Sequence, residues 1–162
     1  MIRKGRIEDA AEMASIYNHY VRTSTVIFSE KELSATDMRD KLLAMNVGDK
    51  FPFFIDEEEG AIRGYGYAHL WHPDAVYGQT WEVTIYLAQD DCGKGVGTSL
   101  LKEIIKASRE NGAHVLISCI TDGNMPCERM LQKLNFEKAG CLKGVGFKFG
   151  KYLDDVLYQL TL

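Results

Sequence analysis

Gly93-Lys94-Gly95-Val96-Gly97-Thr98 separates a strand-like run, Trp81 to Leu87, from a helix-like run, Ser99 to Ser108. A helix leaves its first backbone N–H groups without intrahelical partners and carries partial positive charge at that end, so a strand, glycine turn and helix in succession form a candidate anion cradle. Glycines at alternate positions remove the Cβ atoms that hold a bulky phosphate away from the backbone. They also permit positive φ where amides must converge. Lys94 adds a full positive charge. A turn that only reverses the chain fits the same six residues, so the surroundings must decide.

At 162 residues the chain is read as one domain, 1–162, large enough to bury a core without disulfide or metal staples. Hydrophobic residues at 46% and charged residues at 26% are ordinary for a globular protein and exclude a disordered or coiled-coil composition. The net charge of −4, with Lys and Arg scattered among acids, argues against nucleic acid as a partner. Met1 to Gly5 leads into a charged helical pattern without an apolar leader, and no apolar run is long enough to span a membrane. Cys92, Cys119, Cys127 and Cys141 lack CxxC spacing, and His19, His69, His72 and His114 are dispersed. The expectation is therefore no metal site, no disulfide framework, and reduced thiols in a cytoplasmic protein.

Periodicity predicts a short strand at 1–5, a helix over Ile7–Val21, a β-like Val26-Ile27-Phe28, and a second helix over Ser34–Met45 capped by Ser34 or Thr36. Strands follow at Phe51–Ile55 and Ala61–Trp71 around an acidic turn, Asp56 to Gly60. A loop over His72–Gln79 leads to the central strand Trp81–Leu87. The helix after the glycine turn ends at Asn111-Gly112; His114–Ile120 reads as a buried strand, Asn124–Leu134 as a helix, and Phe136–Phe149 with Tyr152–Leu162 as a closing pair of strands. The order is β, α, α, three strands, α, β, α, two strands: a mixed α/β chain without regular βαβ alternation.

That order disposes of two phosphate-binding alternatives. A dinucleotide fingerprint needs G-x-G-x-x-G, but the position three after Gly95 is Thr98, and no acid follows on the next strand. No G-x-x-x-x-G-K-[ST] occurs either.

Cys92-Gly93-Lys94-Gly95-Val96-Gly97 resembles the acetyl-CoA pyrophosphate loop of the GNAT N-acetyltransferases, [Gln/Arg]-x-x-Gly-x-[Gly/Ala]. Four further segments resemble the phosphinothricin and methionine sulfoximine acetyltransferase branch: Ile16 to Val21, Gly64 to Ala68, Glu82 to Leu87, and Val145 to Asp154. The resemblance implies the GNAT fold, a central mixed and mostly antiparallel twisted sheet flanked by helices. It implies acetyl-CoA as co-substrate, the α-amine of a small amino acid or analogue (methionine sulfoximine, methionine sulfone or a phosphinothricin-like compound) as acceptor, and a homodimer, for which Phe147, Phe149 and Tyr152 offer interface material. Ile85, Tyr86 and Leu87 would line the pantetheine, Gly93, Lys94, Gly95, Val96, Gly97 and Thr98 the pyrophosphate, and Asn124 the cofactor arm, alongside or instead of an N-cap role. Phe28, Trp71, Ala75, Val76 and Tyr77, with Glu82, Val83 and Thr84, would form the acceptor site, although aromatics in a mixed sheet serve equally as core.

Departures from the family pattern are informative. Cys92 replaces the Gln or Arg that opens the loop, Cys127 replaces the Ser of an Asn-x-x-Ser motif, Asn135 replaces the Gly of a Gly-Phe pair, and Gly78 stands where many branch members carry an Arg. Acetyl transfer needs a deprotonated amine, and an amine with a pKa well above 7 requires a base. Glu82 is the candidate, an acid in an apolar strand where desolvation would raise its pKa; a solvated Glu82 paired with a Lys or Arg is the alternative. Backbone N–H groups near Tyr86 or Leu87 would serve the oxyanion if the strand parts from its neighbour. The helix after the second parallel strand has no Tyr to act as acid, and a thiol with pKa about 8.5 leaves tolerably without one. No acyl-enzyme nucleophile stands out, so direct transfer in a ternary complex is expected. Lys148 reads as a solvated strand lysine. Other acceptors, such as a polyamine, an aminoglycoside or a protein N-terminus, and an inactive acyl-CoA-binding module stay open as alternatives.

Overall fold

The computed structural model covers residues 1–162 and contains one seven-stranded sheet with helices on both faces. In chain order the elements are β1 (Ile2–Lys4), α1 (Ala10–Thr23), α2 (Ala35–Ala44), β2 (Phe53–Glu58), β3 (Ala61–Leu70), β4 (Thr80–Leu87), α3 (Val96–Glu110), β5 (Val115–Thr121), α4 (Met125–Lys133), β6 (Glu137–Lys148) and β7 (Lys151–Thr161). The spatial order is β1-β2-β3-β4-β5-β7-β6. Every neighbouring pair is antiparallel except β4–β5. This is the mixed, mostly antiparallel sheet that the order of elements implies.

Alternation along the strands sorts the core into two layers. Tyr65 and Tyr67 of β3 and Ile55 of β2 meet Met13 and Tyr17 of α1 and Met38 and Leu42 of α2. On the opposite face Trp81, Leu116, Val156 and Tyr158 meet Leu101 and Ile104 of α3 and Leu131 of α4. The helices present these residues at steps of three and four, which is why they lie on one stripe. At the start of α2, Ser34 accepts from the Asp37 amide at 3.0 Å and Asp37 accepts from the Ser34 amide at 2.8 Å, a reciprocal cap.

Gly64 and Gly66 of β3 let α3 lie close on the sheet. A Cβ on Gly66 would stand 2.7 Å from Ile104 Cδ1, 3.0 Å from Ile85 Cγ1 and 3.2 Å from the Thr84 carbonyl oxygen. The seat of α3 in turn fixes its first turn, where the glycine loop ends.

The structure departs from the sequence reading at three places. Val26-Ile27-Phe28 is an irregular loop with no strand partner. Asp56, Glu57 and Glu58 belong to β2, leaving Glu59 (φ +52°) and Gly60 (φ +81°) as the turn. Helix α3 begins at Val96, so the second half of the glycine stretch is helical. Gly66→Ala is expected to destabilise the fold by about 1–3 kcal/mol through overpacking against Ile104 and Ile85, read as a lower urea midpoint at unchanged m-value.

Candidate active site

Strand β4 is bridged to β5 only at Thr80–Val115, Trp81–Leu116 and Glu82–Ile117. Beyond Glu82 the two strands part, and β5 continues with β7 alone. The consequence for the backbone follows from strand alternation. The Trp71 amide donates to the Thr80 carbonyl at 3.1 Å, and the Ala88 amide to the Arg63 carbonyl at 2.8 Å. Even-numbered β4 residues therefore turn their main-chain groups toward β3, and odd-numbered ones toward β5. Past the last bridge, the Ile85 and Leu87 amides face the gap. The sequence reading named Tyr86 as well, but its amide points to β3; Ile85 takes its place. The Leu87 carbonyl accepts from Tyr20 Oη at 2.7 Å.

The gap is a cavity of about 110 Å³. Glu82, Thr84, Tyr86 and Cys119 enter it from the α1/α2 side of the sheet, and Ile85, Leu101, Asn124, Cys127 and Met130 from the α3/α4 side. Val26 closes it from the loop after α1. Two helix N-termini stand at its mouth, because α3 follows the outer end of β4 and α4 follows the outer end of β5. Asn124 caps α4, its Oδ1 accepting from the Cys127 amide at 3.4 Å.

The glycines of the loop divide their work. Gly93 (φ +79°) and Gly95 (φ +85°) need left-handed backbone, and no atom lies within 4 Å of where a Cβ would stand on either. Gly97 is already helical and serves packing, since its Cβ would meet Met130 Sδ at 3.0 Å and Leu87 Cδ1 at 3.4 Å. The first intrahelical bond runs from the Ser99 amide to the Gly95 carbonyl at 3.1 Å, so the amides of Val96, Gly97 and Thr98 have no intrahelical acceptor. Val96 is buried and contributes only backbone to this end. Lys94 Nζ lies 3.2 Å from Asp91 Oδ1, which also receives Arg63 Nε at 3.4 Å. Cys92 is exposed, with its sulfur 3.6 Å from Tyr20 Oη.

Glu82 is half-buried, and its near neighbour is His69 across the β3–β4 pair, 3.7 Å away, not a Lys or Arg. Burial raises its carboxyl above the usual range; His69 pulls it back, and Asp155 of β7 pushes it up further. The two thiols in the cavity are held protonated. Burial pushes Cys119 up to about 12, helped by Glu82 and Asp155, and Cys127 up to about 11, helped by Glu128. Thiols so shifted are poor nucleophiles at neutral pH.

The other acceptor candidates lie apart from the cavity. Trp71 and the helical turn Ala75–Tyr77 belong to the β3–β4 connection, where Val76 is 88% exposed and His72 packs on Tyr77 at 4.7 Å between ring centroids. Phe28 sits on Gly146 in a second cavity of about 220 Å³ with Glu30, Phe147 and Lys148. Lys148 contradicts its sequence reading: it is 2% exposed and donates to the carbonyls of Ser24 at 2.7 Å and Ile27 at 2.9 Å. Chain-end carbonyls of an irregular loop need donors, and an ammonium supplies several. Thr121 Oγ1 holds the next carbonyl, Thr25, at 2.6 Å. Together they fix Val26 over the cavity. Cys119 and Asp155 carry no motif in the sequence; only the register of β5 with β7 brings them here.

A strand edge that parts from its neighbour, flanked by two helix N-termini and with a carboxylate at its inner end, is an arrangement that can receive an anionic ligand along a sheet opening. Residues 2–157 match the family model described as an acetyltransferase (GNAT) domain; the chain belongs to this family and is an enzyme of the acyltransferase class. It is 36% identical over 162 residues to a phosphinothricin N-acetyltransferase of Alcaligenes faecalis, covering 99% of this chain and 82% of that one. It is 30% identical over 162 residues to an L-methionine sulfoximine/L-methionine sulfone acetyltransferase of Pseudomonas paraeruginosa, covering 99% and 94%. A solved GNAT superfamily phosphinothricin acetyltransferase of Sinorhizobium meliloti, in complex with acetyl-CoA, superposes with a TM-score of 0.95 at 28% identity, covering 100% of this chain and 88% of that chain.

Replacing Lys148 by Met is expected to leave two buried carbonyls without donors. The expected loss is about 1–3 kcal/mol of stability, with faster hydrogen exchange confined to residues 24–28, measured by denaturation and by exchange mass spectrometry.

Proposed function

We propose that this enzyme transfers the acetyl group of acetyl-CoA to the α-amine of a small amino acid or analogue, by direct attack within a ternary complex. Methionine sulfoximine, methionine sulfone and phosphinothricin-like compounds are the preferred acceptors, on the strength of the named relatives. One observation carries the reading: the opening between β4 and β5 passes through the sheet, with free helix amides on the α3/α4 side and Glu82 on the other.

The donor fits the first side. Its pyrophosphate would meet the amides of Val96, Gly97 and Thr98, where Gly93 and Gly95 leave the backbone uncovered and Lys94 is within reach. Its pantetheine would run along Ile85, Tyr86 and Leu87, with Asn124 beside the arm. The Ile85 or Leu87 amide is placed for the oxygen that gains charge as the thioester carbonyl is attacked. Glu82 takes the proton of the acceptor ammonium, directly or through one water, and the amine nitrogen then bonds to the acetyl carbon as the C–S bond breaks. The second proton of the nitrogen is lost to water as the amide forms, and the departing thiolate takes its proton from water, so the step ends at the N-acetyl product and the free thiol. Cys119 and Cys127, both protonated, favour direct transfer over an acyl-enzyme. Trp71, Ala75, Val76, Tyr77 and Phe28 form outer walls of the acceptor approach in this reading. The exposed Val145, Phe147, Phe149 and Tyr152 of the β6–β7 hairpin are the surface over which two copies pair.

Glu82→Gln is expected to lower kcat by about 10²–10⁴-fold while the dissociation constant for acetyl-CoA stays within twofold, measured by free-thiol release and by calorimetry. The base works deprotonated, and its carboxyl is raised by burial. Activity of the wild type should therefore fall with decreasing pH at a limb above the ordinary carboxylate range, and that limb should vanish in Glu82→Gln. Unchanged turnover, or the same limb in the variant, sinks the assignment.

A further inference from the structure

Lys41 of α2 is a half-buried ammonium without a partner. It forms no ion pair and no hydrogen bond, and it stands 5.1 Å over the ring of Tyr17. Tyr17 makes an edge contact with Tyr86 at 5.8 Å, and Tyr86 shares a face of β4 with Thr84 and Glu82. The ammonium thus hangs above the α1/α2 side of the cavity, the side on which Glu82 lies. Holding a cation there without an anion is costly, since burial weakens its hydration and nothing replaces it; burial also lowers its pKa, and the Glu82 field partly restores it. The other basic side chains of this neighbourhood are engaged. His69 pairs with Glu82, and Lys148 is spent on the loop carbonyls.

Resting on the amino-acid acceptor proposed above, we infer that Lys41 binds the acceptor's carboxylate while Glu82 receives its ammonium. The two side chains offer opposite charges on one side of the sheet and form no ion pair with each other. An α-amino acid, with its own opposite charges one carbon apart, offers a partner to each. A simple amine satisfies only Glu82. Lys41 is then a specificity-determining residue, and the aromatic ring beneath it keeps the ammonium from folding away.

The test compares matched acceptors, methionine sulfone and its decarboxylated counterpart 3-(methylsulfonyl)propylamine, in the wild type, Lys41→Met and Lys41→Arg. Wild type should favour the carboxylate-bearing member. Lys41→Met should raise its KM by roughly 10- to 100-fold, as loss of a charged hydrogen bond implies. The KM of the decarboxylated amine and the affinity for acetyl-CoA should stay within twofold, which also reports an intact fold, and Lys41→Arg should recover part of the loss. If the wild type discriminates and Lys41→Met discriminates equally well, the role of Lys41 is overturned and the amino-acid reading stands. If the wild type prefers the decarboxylated amine or accepts neither compound, both are overturned.

Discussion

Two parallel strands that pair for three residues and then separate are the constraint on which this molecule turns. Hydrogen-bonded strands sit under 5 Å apart and leave no room between them, so a slot through a sheet requires that backbone partners be given up. The amides of Ile85 and Leu87 bear that cost in β4. In a purely structural sheet they would be an unexplained defect; in the proposed function the same exposure supplies donors for the acyl oxygen. The strands diverge at their C-terminal ends, which is also where α3 and α4 begin, so one geometric event yields the opening, its free donors and two positive helix ends.

The two faces of the sheet then acquire different chemistry from the same alternation. On the α3/α4 side β3 is stripped to glycine so that a helix can approach, and the resulting seat aims uncapped amides at the opening. On the α1/α2 side β3 and β4 carry Tyr65, Tyr67, Tyr86, His69 and Glu82, a dense aromatic surface with an acid set into it. Electrostatics follows packing: the acid and two thiols are driven toward their neutral forms by burial, whereas the glycine loop lies open to solvent.

Much of this was legible beforehand because it rests on local signals. The order of elements, the glycine turn between strand and helix, and the position of Glu82 in β4 are all set by short-range pattern, and the structure reproduces them. What escaped were features decided at long range. Lys148 looks like any strand lysine until the loop at 24–28 is seen to cross it. Cys119 and Asp155 become neighbours of the site only through the register of β5 on β7, and register is invisible without the fold. Val26-Ile27-Phe28 has β-branched composition yet no edge to pair with, so side-chain ties hold it instead of a ladder. The resemblance of the dispersed segments to the family adds an expected cofactor track along Ile85, Tyr86 and Leu87, which local pattern alone does not mark.

The ties on that loop connect residues very far apart in the chain. The bonds from Lys148 span 124 and 121 residues, and the one from Thr121 spans 96. Closing such long loops is entropically slow, and contacts of this kind form late relative to local helices and hairpins. The loop carrying Val26 has no ladder of its own to order it earlier. It follows that the cover of the cavity is completed only after the last hairpin, β6 with β7, has docked. During synthesis the opening exists as a sheet defect first and becomes a bounded chamber only when nearly the entire chain has emerged.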